Sequence, residues 1–122
     1  FYTDPTTSKP TWKAYYPAST NASDIVATVY MDPDIVFEAQ HDETGTAALN
    51  FASGNFVGTG GSTVTGQSTQ ELDTSSFGTT ASGLKQIGIS KDPDNSDTAS
   101  ANCNAYAVFG TGENVFTFAT GI

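Results

Sequence analysis

The densest group of chemically capable side chains is Asp92, Asp94, Asn95 and Asp97, four oxygen-bearing residues within six positions. Calcium prefers such oxygen clusters in flexible loops. An EF-hand would need glycine at the sixth position and glutamate at the twelfth, where this sequence has Asp97 and Cys103. Asp and Asn also favour turns, because their side chains bond nearby backbone groups. We therefore interpret the segment as a turn and predict no metal site, with a cation site as the alternative.

His41 and Cys103 are the sole histidine and the sole cysteine. One histidine cannot build a His-rich zinc site, and one cysteine cannot form an internal disulfide. A Ser–His–Asp arrangement around His41 is conceivable, but the G-x-S-x-G nucleophile elbow is missing. We predict that the protein is not an enzyme and needs no cofactor, and that Cys103 is a small buried or half-buried side chain and not a nucleophile. A hydrolase that acts through His41 is a further class of function, in addition to the two described below.

The charge balance excludes several kinds of partner. Thirteen carboxylates face only four lysines, which gives a formal charge of −9. Nucleic-acid binders need a basic face, and anionic membrane surfaces would repel this chain. No apolar run approaches the ~20 residues that span a bilayer. We predict no nucleic-acid and no membrane partner. The chain begins at Phe1 without a methionine, so we expect its true start to be processed away or to lie outside this sequence.

The elements that would position any site are predicted to be strands. Helical periodicity is absent, whereas twelve dispersed glycines suit short strands joined by turns. With 122 residues, the chain suits one domain. We predict an all-β fold, a single-domain β-sandwich or small β-barrel of short antiparallel strands over residues 22–122. The predicted strands are rich in β-branched or aromatic residues: Ile25–Tyr30, Ile35–Gln40, Ala47–Phe51, Ser62–Thr65, Leu84–Ser90, Ala105–Phe109 and Val115–Phe118.

The first two predicted strands would form a hairpin across a connection from Met31 to Ile35, since Asp32-Pro33-Asp34 suits a type I turn. A bulge, or membership of different sheets, is the alternative. Asp-Pro-Asp recurs at 92–94 and predicts a second, similar turn. Glu38 is predicted to face outward. The predicted core consists of Ile25, Val29, Ile35, Phe37, Ile87, Ile89, Val108 and Phe116.

Residues 1–21 have a different composition. Three prolines disfavour a regular central strand, and five large aromatic residues argue against a solvated linker. The segment is therefore predicted to be an extended arm, which either covers the core of its own domain or docks on a neighbouring subunit. Aromatic residues dominate binding hot spots. The predicted interface residues are Tyr2, Trp12, Tyr15 and Tyr16.

Three stretches, residues 1–19, 29–40 and 84–95, resemble small virion proteins of tailed phages, particularly marine and cyanobacterial ones. The resemblance is to capsid decoration, or cement, proteins. It implies a β-rich structural protein on the outer capsid surface of a virion. It further implies binding to neighbouring major capsid protein subunits and assembly as a homo-oligomer, with a trimer favoured.

A second class of function is left open by the residues. A host-recognition or adhesion domain of a tail or fibre would use its Gly- and Thr-rich loops, here Ser53–Ser82, to contact glycans. We take capsid binding through the arm, combined with edge pairing to a partner strand, as the leading expectation.

Overall fold

The computed structural model describes residues 1–30, 32 and 34–110. Strands make up 26% and helix 6% of it, and the paired strands run antiparallel. The prediction of a small all-β protein is therefore confirmed. Contacts divide the chain into two units. The first joins residues 1–30 to 59–69, and the second joins 32–58 to 70–110 among the described residues.

The first unit is built around a short two-stranded ladder. β1 (Tyr2–Thr3) pairs with β2 (Pro10–Thr11), with Tyr2 opposite Thr11. Asp4 closes the loop between them, because its Oδ1 accepts from the N–H of Thr6 at 2.8 Å. The predicted arm, residues 1–21, thus lies in one unit with residues 22–30 and 59–69.

The second unit contains a four-stranded sheet and a smaller ladder. The sheet has the order β3-β8-β7-β4, and β5 pairs with β6. Single turns of 3-10 helix cover Ala47–Leu49 and Thr74–Ser76. The strands of this unit are β3 (Phe37–Gln40), β4 (Ser53–Gly54), β5 (Phe56–Val57), β6 (Glu71–Leu72), β7 (Leu84–Ile89) and β8 (Asn104–Phe109).

The core of the second unit lies on one face of the sheet. Leu72, Leu84, Ala105 and Ala107 are buried together. Partly buried side chains pack against them, namely Phe37, Ala39, Phe77 and Ile89. β7 changes register between Gln86 and Gly88, and such a bulge moves later residues of a strand to the other face. Ile89 therefore pairs with Ala105 and reaches the same core as Leu84.

Two predicted strands match closely, and three do not form. β7 and β8 confirm Leu84–Ser90 and Ala105–Phe109 to within one residue at an end, and β3 begins two residues inside Ile35–Gln40. Ile25–Tyr30 is not a strand, so the predicted hairpin is wrong; the partner of β3 is β8. Ala47–Phe51 contains a 3-10 turn, because Thr46 caps it through the N–H of Ala48. Ser62–Thr65 is a turn, and Val115–Phe118 lies outside the described residues.

The predicted core is partly wrong. Ile25 and Val29 are exposed, because no sheet covers them. Four other members, Ile35, Phe37, Ile87 and Ile89, are partly buried, as is Val108, and Glu38 faces outward as predicted. Phe116 lies outside the described residues. Cys103 is buried, which confirms its predicted environment.

The two Asp-Pro-Asp segments form similar turns, as predicted. Asp32 accepts the N–H of Asp34 on its side chain at 2.9 Å and the N–H of Ile35 on its carbonyl at 3.3 Å. Asp92 accepts the N–H of Asp94 and the N–H of Asn95 in the same way, at 3.0 and 3.2 Å. The shared motif therefore reflects shared turn chemistry.

Candidate interaction surface

The aromatic residues of the arm meet in the first unit, where Tyr2 supplies its buried centre. Tyr2 is 4% exposed. Its ring stands edge-on to that of Tyr16, with centroids 5.7 Å apart, an arrangement that aromatic pairs prefer. The Tyr16 hydroxyl donates to the carbonyl of Thr20 and accepts from the N–H of Ala22. These contacts fold residues 16–22 back on themselves and hold the Tyr16 ring over Tyr2.

Tyr15 connects the arm to residues 59–69. Its hydroxyl donates to the carbonyl of Val64 at 2.9 Å, and the N–H of Ala18 donates to the carbonyl of Thr63. The Tyr15 ring lies directly over Gly66, where a Cβ atom would come within 2.2 Å of it. Gly66 also has a φ of +76°, which favours glycine. The glycine thus forms the seat of the Tyr15 ring.

Trp12 is left outside this packing. Its ring meets Phe1 at a centroid distance of 5.0 Å, but the side chain remains 74% exposed. An indole exposed to this degree carries a large apolar area that a partner could bury. Phe1 is held in place because its ammonium group donates to the carbonyl of Val26 and its carbonyl accepts from the N–H of Val26, each at 2.9 Å.

A groove of about 360 Å³ runs between these rings and residues 25–28. We name it the aromatic groove. Its aromatic wall is Phe1, Trp12, Tyr15 and Tyr16, and the opposite wall includes Ile25 and Val26. Three of the four predicted interface residues therefore line one groove, while Tyr2 supports it from inside. The wall formed by Ile25 and Val26 was missed, because their apolar pattern suggested a core strand.

The charged side chains of the first unit balance one another. They are Asp4, Asp24, Lys9 and Lys13, so they sum to zero. The formal charge of −9 is therefore carried by the rest of the chain. Asp24 accepts the N–H of Thr3 at 3.0 Å, and hydrogen bonding from Thr3 lowers the pKa of its carboxyl group. Lys13 lies 5.9 Å from the centroid of the Tyr15 ring.

The second unit buries a polar cluster around His41. The His41 ring is fully buried, with Nδ1 3.2 Å from the Thr74 hydroxyl. The Gln86 amide nitrogen donates to the Thr46 carbonyl and to Asn50 Oδ1 at 2.9 Å. Its Oε1, like His41 Nε2, has no hydrogen-bond partner among the described residues. Both atoms are therefore buried without a geometrically satisfactory hydrogen bond.

The environment of His41 shapes its titration. Burial lowers the pKa of the imidazole, although the Gln86 side chain and the Asp42 charge oppose this shift. The ring is also confined sterically, because a Cβ at Gly45 would come within 2.2 Å of it and Phe77 packs 5.8 Å away. Burial opposes ionisation of Asp42, but hydrogen bonds from Thr74 lower the pKa of that carboxyl overall. His41 is thus held neutral and enclosed.

The acidic segment 92–97 uses its carboxylates on its own backbone. Asp97 accepts the N–H of Ala99 at 2.9 Å and the hydroxyl of Ser100 at 2.8 Å, and these bonds lower the pKa of its carboxyl. Within the described part of the chain, no three His, Cys, Asp or Glu side chains are grouped so as to hold a metal ion. The turn interpretation accounts for these contacts.

A second concavity, of about 580 Å³, lies in the second unit beside the end of β8. Phe56, Leu84 and Phe109 form its apolar walls. The amide oxygen of Asn55 is already engaged by the Ser82 hydroxyl and the N–H of Gly83. Among the described residues that line this concavity, no side-chain oxygen is therefore free to bind a ligand. The aromatic groove is the stronger candidate for an interaction site.

Comparisons with protein-family models, curated proteins and solved structures find no match to this chain. Among the described residues, no helix has the length and apolar character needed to cross a bilayer.

Proposed function

We propose that this protein is a non-enzymatic structural component of a phage virion, which stabilises the capsid by binding neighbouring major capsid subunits on its outer surface. The contact is made by the aromatic groove. Trp12 is the central residue of that contact and Tyr15 and Tyr16 form its fixed walls.

The observation that carries this proposal is the exposed indole of Trp12 on an ordered support. Trp12 is 74% exposed, while its neighbours Phe1, Tyr15 and Tyr16 are fixed by hydrogen bonds. A side chain presented by a preformed support loses little conformational entropy when it binds. Tryptophan and tyrosine are also the residues that most often dominate interface energetics. The first unit therefore has the character of a preformed protein-binding surface.

The distribution of charge supports the same proposal. The charged side chains of the first unit sum to zero, so burying this unit against a partner removes no uncompensated side-chain charge from water, whereas burying part of the acidic remainder would. Charged surfaces outside a contact keep proteins soluble and steer their association. A binding unit with balanced side-chain charges in an otherwise acidic chain suits a protein that coats a large particle.

The non-enzymatic part of the proposal is supported by the position of His41. The imidazole is fully buried beneath Gly45 and Phe77, so it does not face solvent from which a substrate would arrive. A general base must come within hydrogen-bond reach of the proton that it abstracts. The buried cluster fits a structural role better.

Cosedimentation with decoration-free capsids of the encoding phage tests the proposal. The full chain is expected to sediment with the particles, and Trp12→Ala to weaken binding by at least ~2 kcal/mol. Phe51→Ala is the matched control, because Phe51 is 73% exposed but belongs to the second unit. Equal losses in both variants, or no cosedimentation of the wild-type chain, would contradict the proposal.

Electron microscopy of complete particles separates capsid binding from tail adhesion. Copies arranged on the icosahedral lattice are expected, whereas copies confined to the tail would replace the proposal with the adhesion alternative. The trimer that the resemblance implies is tested independently by sedimentation velocity of the purified chain. A monomer in solution would contradict the trimer but leave capsid binding intact.

A further inference from the structure

The second unit contains two single turns of 3-10 helix, the early turn (Ala47–Leu49) and the late turn (Thr74–Ser76). A single turn is not stable by itself, because its few hydrogen bonds do not offset the entropy lost when its residues are ordered. Each turn must therefore be held by contacts with the rest of the unit. The buried polar cluster around His41 supplies such contacts to both turns.

Two fully buried side chains make these contacts. The amide nitrogen of Gln86 donates to the carbonyl of Thr46 at 3.2 Å and to Oδ1 of Asn50 at 2.9 Å. Gln86 thus bridges the two residues that cap the early turn. Nδ1 of His41 lies 3.2 Å from the hydroxyl of Thr74, the first residue of the late turn. One side chain of the cluster therefore anchors each turn.

His41 and Gln86 can join these two anchors through the atoms that have no other partner. His41 Nε2 and Gln86 Oε1 are buried without a satisfactory hydrogen bond to any described residue. Burial lowers the pKa of the imidazole, and hydrogen bonding to Gln86 opposes that shift, so the amide oxygen lies next to the ring. A neutral ring protonated on Nε2 donates to this oxygen and accepts the Thr74 hydroxyl proton on Nδ1. The contacts then run without a break from the late turn to the early turn.

We propose that Thr74, His41 and Gln86 form an acid-sensitive latch, which holds both turns closed while the His41 ring is neutral and releases them together when the ring takes up a proton. The cationic ring would have a second donor, at Nδ1, facing a hydroxyl that until then donated to it. It would also lack the hydration that a charged ring has in water. The cation is therefore more stable in a conformation that opens the cluster to solvent, and this conformation exposes Phe77, whose ring packs 5.8 Å from His41.

The charges around the ring do not remove the cost of burying the cation. Burial has the largest effect on the pKa of His41 and lowers it, whereas the Gln86 side chain and the Asp42 charge oppose this shift. The other titratable groups on the segments around the ring are exposed or engaged in hydrogen bonds of their own: Glu43, Glu71, Asp73, Lys85 and Cys103. The closed form is therefore favoured above pH ~6.5, the ordinary histidine pKa, and loses that advantage as the pH falls below it.

Hydrogen exchange of the full chain, measured by NMR between pH 7.5 and 5.5, tests the latch. The reporting amides are those of Asn50 and Ser76, which close the early and the late turn. Each exchange rate is divided by its intrinsic rate at the same pH, so that the resulting protection factor reports on opening alone. Both protection factors are expected to fall together, by about three- to tenfold over this range. The Gly110 amide, which donates to the Gly83 carbonyl beyond the end of β8, is the control for opening of the whole unit and should not follow.

Two variants separate the latch from other effects of pH. In His41→Gln the ring that takes up the proton is gone, so both protection factors are expected to be independent of pH, whatever their absolute values. Thr74→Val keeps the shape of the side chain but removes the hydroxyl that joins the ring to the late turn. At pH 7.5 it is expected to lower protection about two- to tenfold at Ser76 and also at Asn50, because the turns are coupled. Thr80→Val, at an exposed threonine, is the matched control and should change neither amide.

The protonation state of the ring is followed in the same samples through the chemical shifts of the imidazole carbons and nitrogens. If the ring titrates while both turns stay protected, the folded cluster accepts the cation, as when the Thr74 hydroxyl turns to Asp42, and the latch is wrong. Unchanged protection, a fall at one turn only, an equal fall at Gly110, or the same pH dependence in His41→Gln would each overturn it as well. Capsid binding plays no part in these measurements, so their outcome is independent of the proposed function.

Discussion

The two units of this protein differ in how much apolar surface they enclose, although both leave large apolar side chains exposed. The second unit buries Leu72, Leu84 and two alanines on one face of a sheet and keeps its many carboxylates outside that core. The first unit, described in full, buries Tyr2 and leaves Trp12, Ile25 and Val29 exposed. It is held by ring pairs and by hydrogen bonds between tyrosine hydroxyls and the main chain.

The comparison shows that a side chain in a small β protein can be held in a fixed position without being buried. The first unit fixes its aromatic side chains without enclosing them, because hydrogen bonds and a glycine seat determine their positions. Apolar side chains that are held in place but remain exposed to solvent are available to bind a partner. In the second unit, part of the apolar area is buried in the cluster around Leu72 and Leu84 and stabilises the fold, although Phe51 stays 73% exposed.

The largest effect is expected from Leu84→Ala. Leu84 is 2% exposed, so its truncation should lower the free energy of unfolding by about 2–5 kcal/mol in urea titrations. Trp12→Ala removes a larger side chain but should cost no more than about 1 kcal/mol, mainly its ring contact with Phe1. Lys85→Ala, the exposed neighbour, is the control and should stay within about 0.5 kcal/mol. If Trp12→Ala lowered the free energy of unfolding as much as Leu84→Ala does, the two units would not differ in how their apolar side chains contribute to stability.

A smaller effect is expected from Gly66→Ala in the first unit. A methyl group there meets the Tyr15 ring, and φ of +76° is unfavourable for alanine. We expect a local cost of about 1–3 kcal/mol, seen as faster hydrogen exchange at the Ala18 amide, which donates to Thr63. Gly60→Ala is the matched control, since a Cβ atom added there would meet nothing within 4 Å. If hydrogen exchange at the Ala18 amide were unchanged in Gly66→Ala, the packing of the Tyr15 ring on Gly66 would not contribute to holding the arm in place.

The smallest effect is expected from the titration of His41. Because burial lowers the pKa of folded His41, the unfolded chain binds its proton first as the pH falls below ~6.5. Stability should therefore be full above that pH and decline below it, by no more than ~1.4 kcal/mol per pH unit. The measurement is urea unfolding at intervals between pH 7.5 and 5. His41→Gln should abolish the slope, and an equal slope in that variant would assign it to other groups.

Parts of the fold could be predicted because local pattern and tertiary role agree. In β8 alternate alanines face the core, and in β7 Leu84 begins a run of strand-forming residues that ends at Ile89. Ile25–Tyr30 has the same local character, yet strand formation requires a partner edge, which the pattern does not encode. The register change after Gln86 is likewise set by pairing with β8. Sequence alone therefore misassigned the core members Ile25 and Val29.

The residues of the candidate surface could also be predicted in part, where the local sequence pattern was sufficient. Prolines and aromatics mark the arm, so Trp12, Tyr15 and Tyr16 could be identified. Which of the aromatic residues is buried and which is exposed could not be predicted from the sequence. The burial of Tyr2 and the exposure of Trp12 depend on contacts with Tyr16 and Phe1. The sequence raised a Ser–His–Asp arrangement around His41, but the enclosure of its ring follows from Gly45, Phe77 and Thr74, which belong to no recognisable motif.

The seating of Tyr15 on residues 59–69 has a consequence for biosynthesis. The Tyr15 hydroxyl and the Val64 carbonyl that receives it are separated by 49 positions. A ribosome adds about 5–20 residues each second, so Tyr15 is made roughly 2–10 seconds before its seat exists. During that interval the nascent arm offers Phe1, Trp12 and Tyr15 to its surroundings without the contacts that later order them. The proposed binding segment therefore spends part of synthesis without the contact that later orders Tyr15.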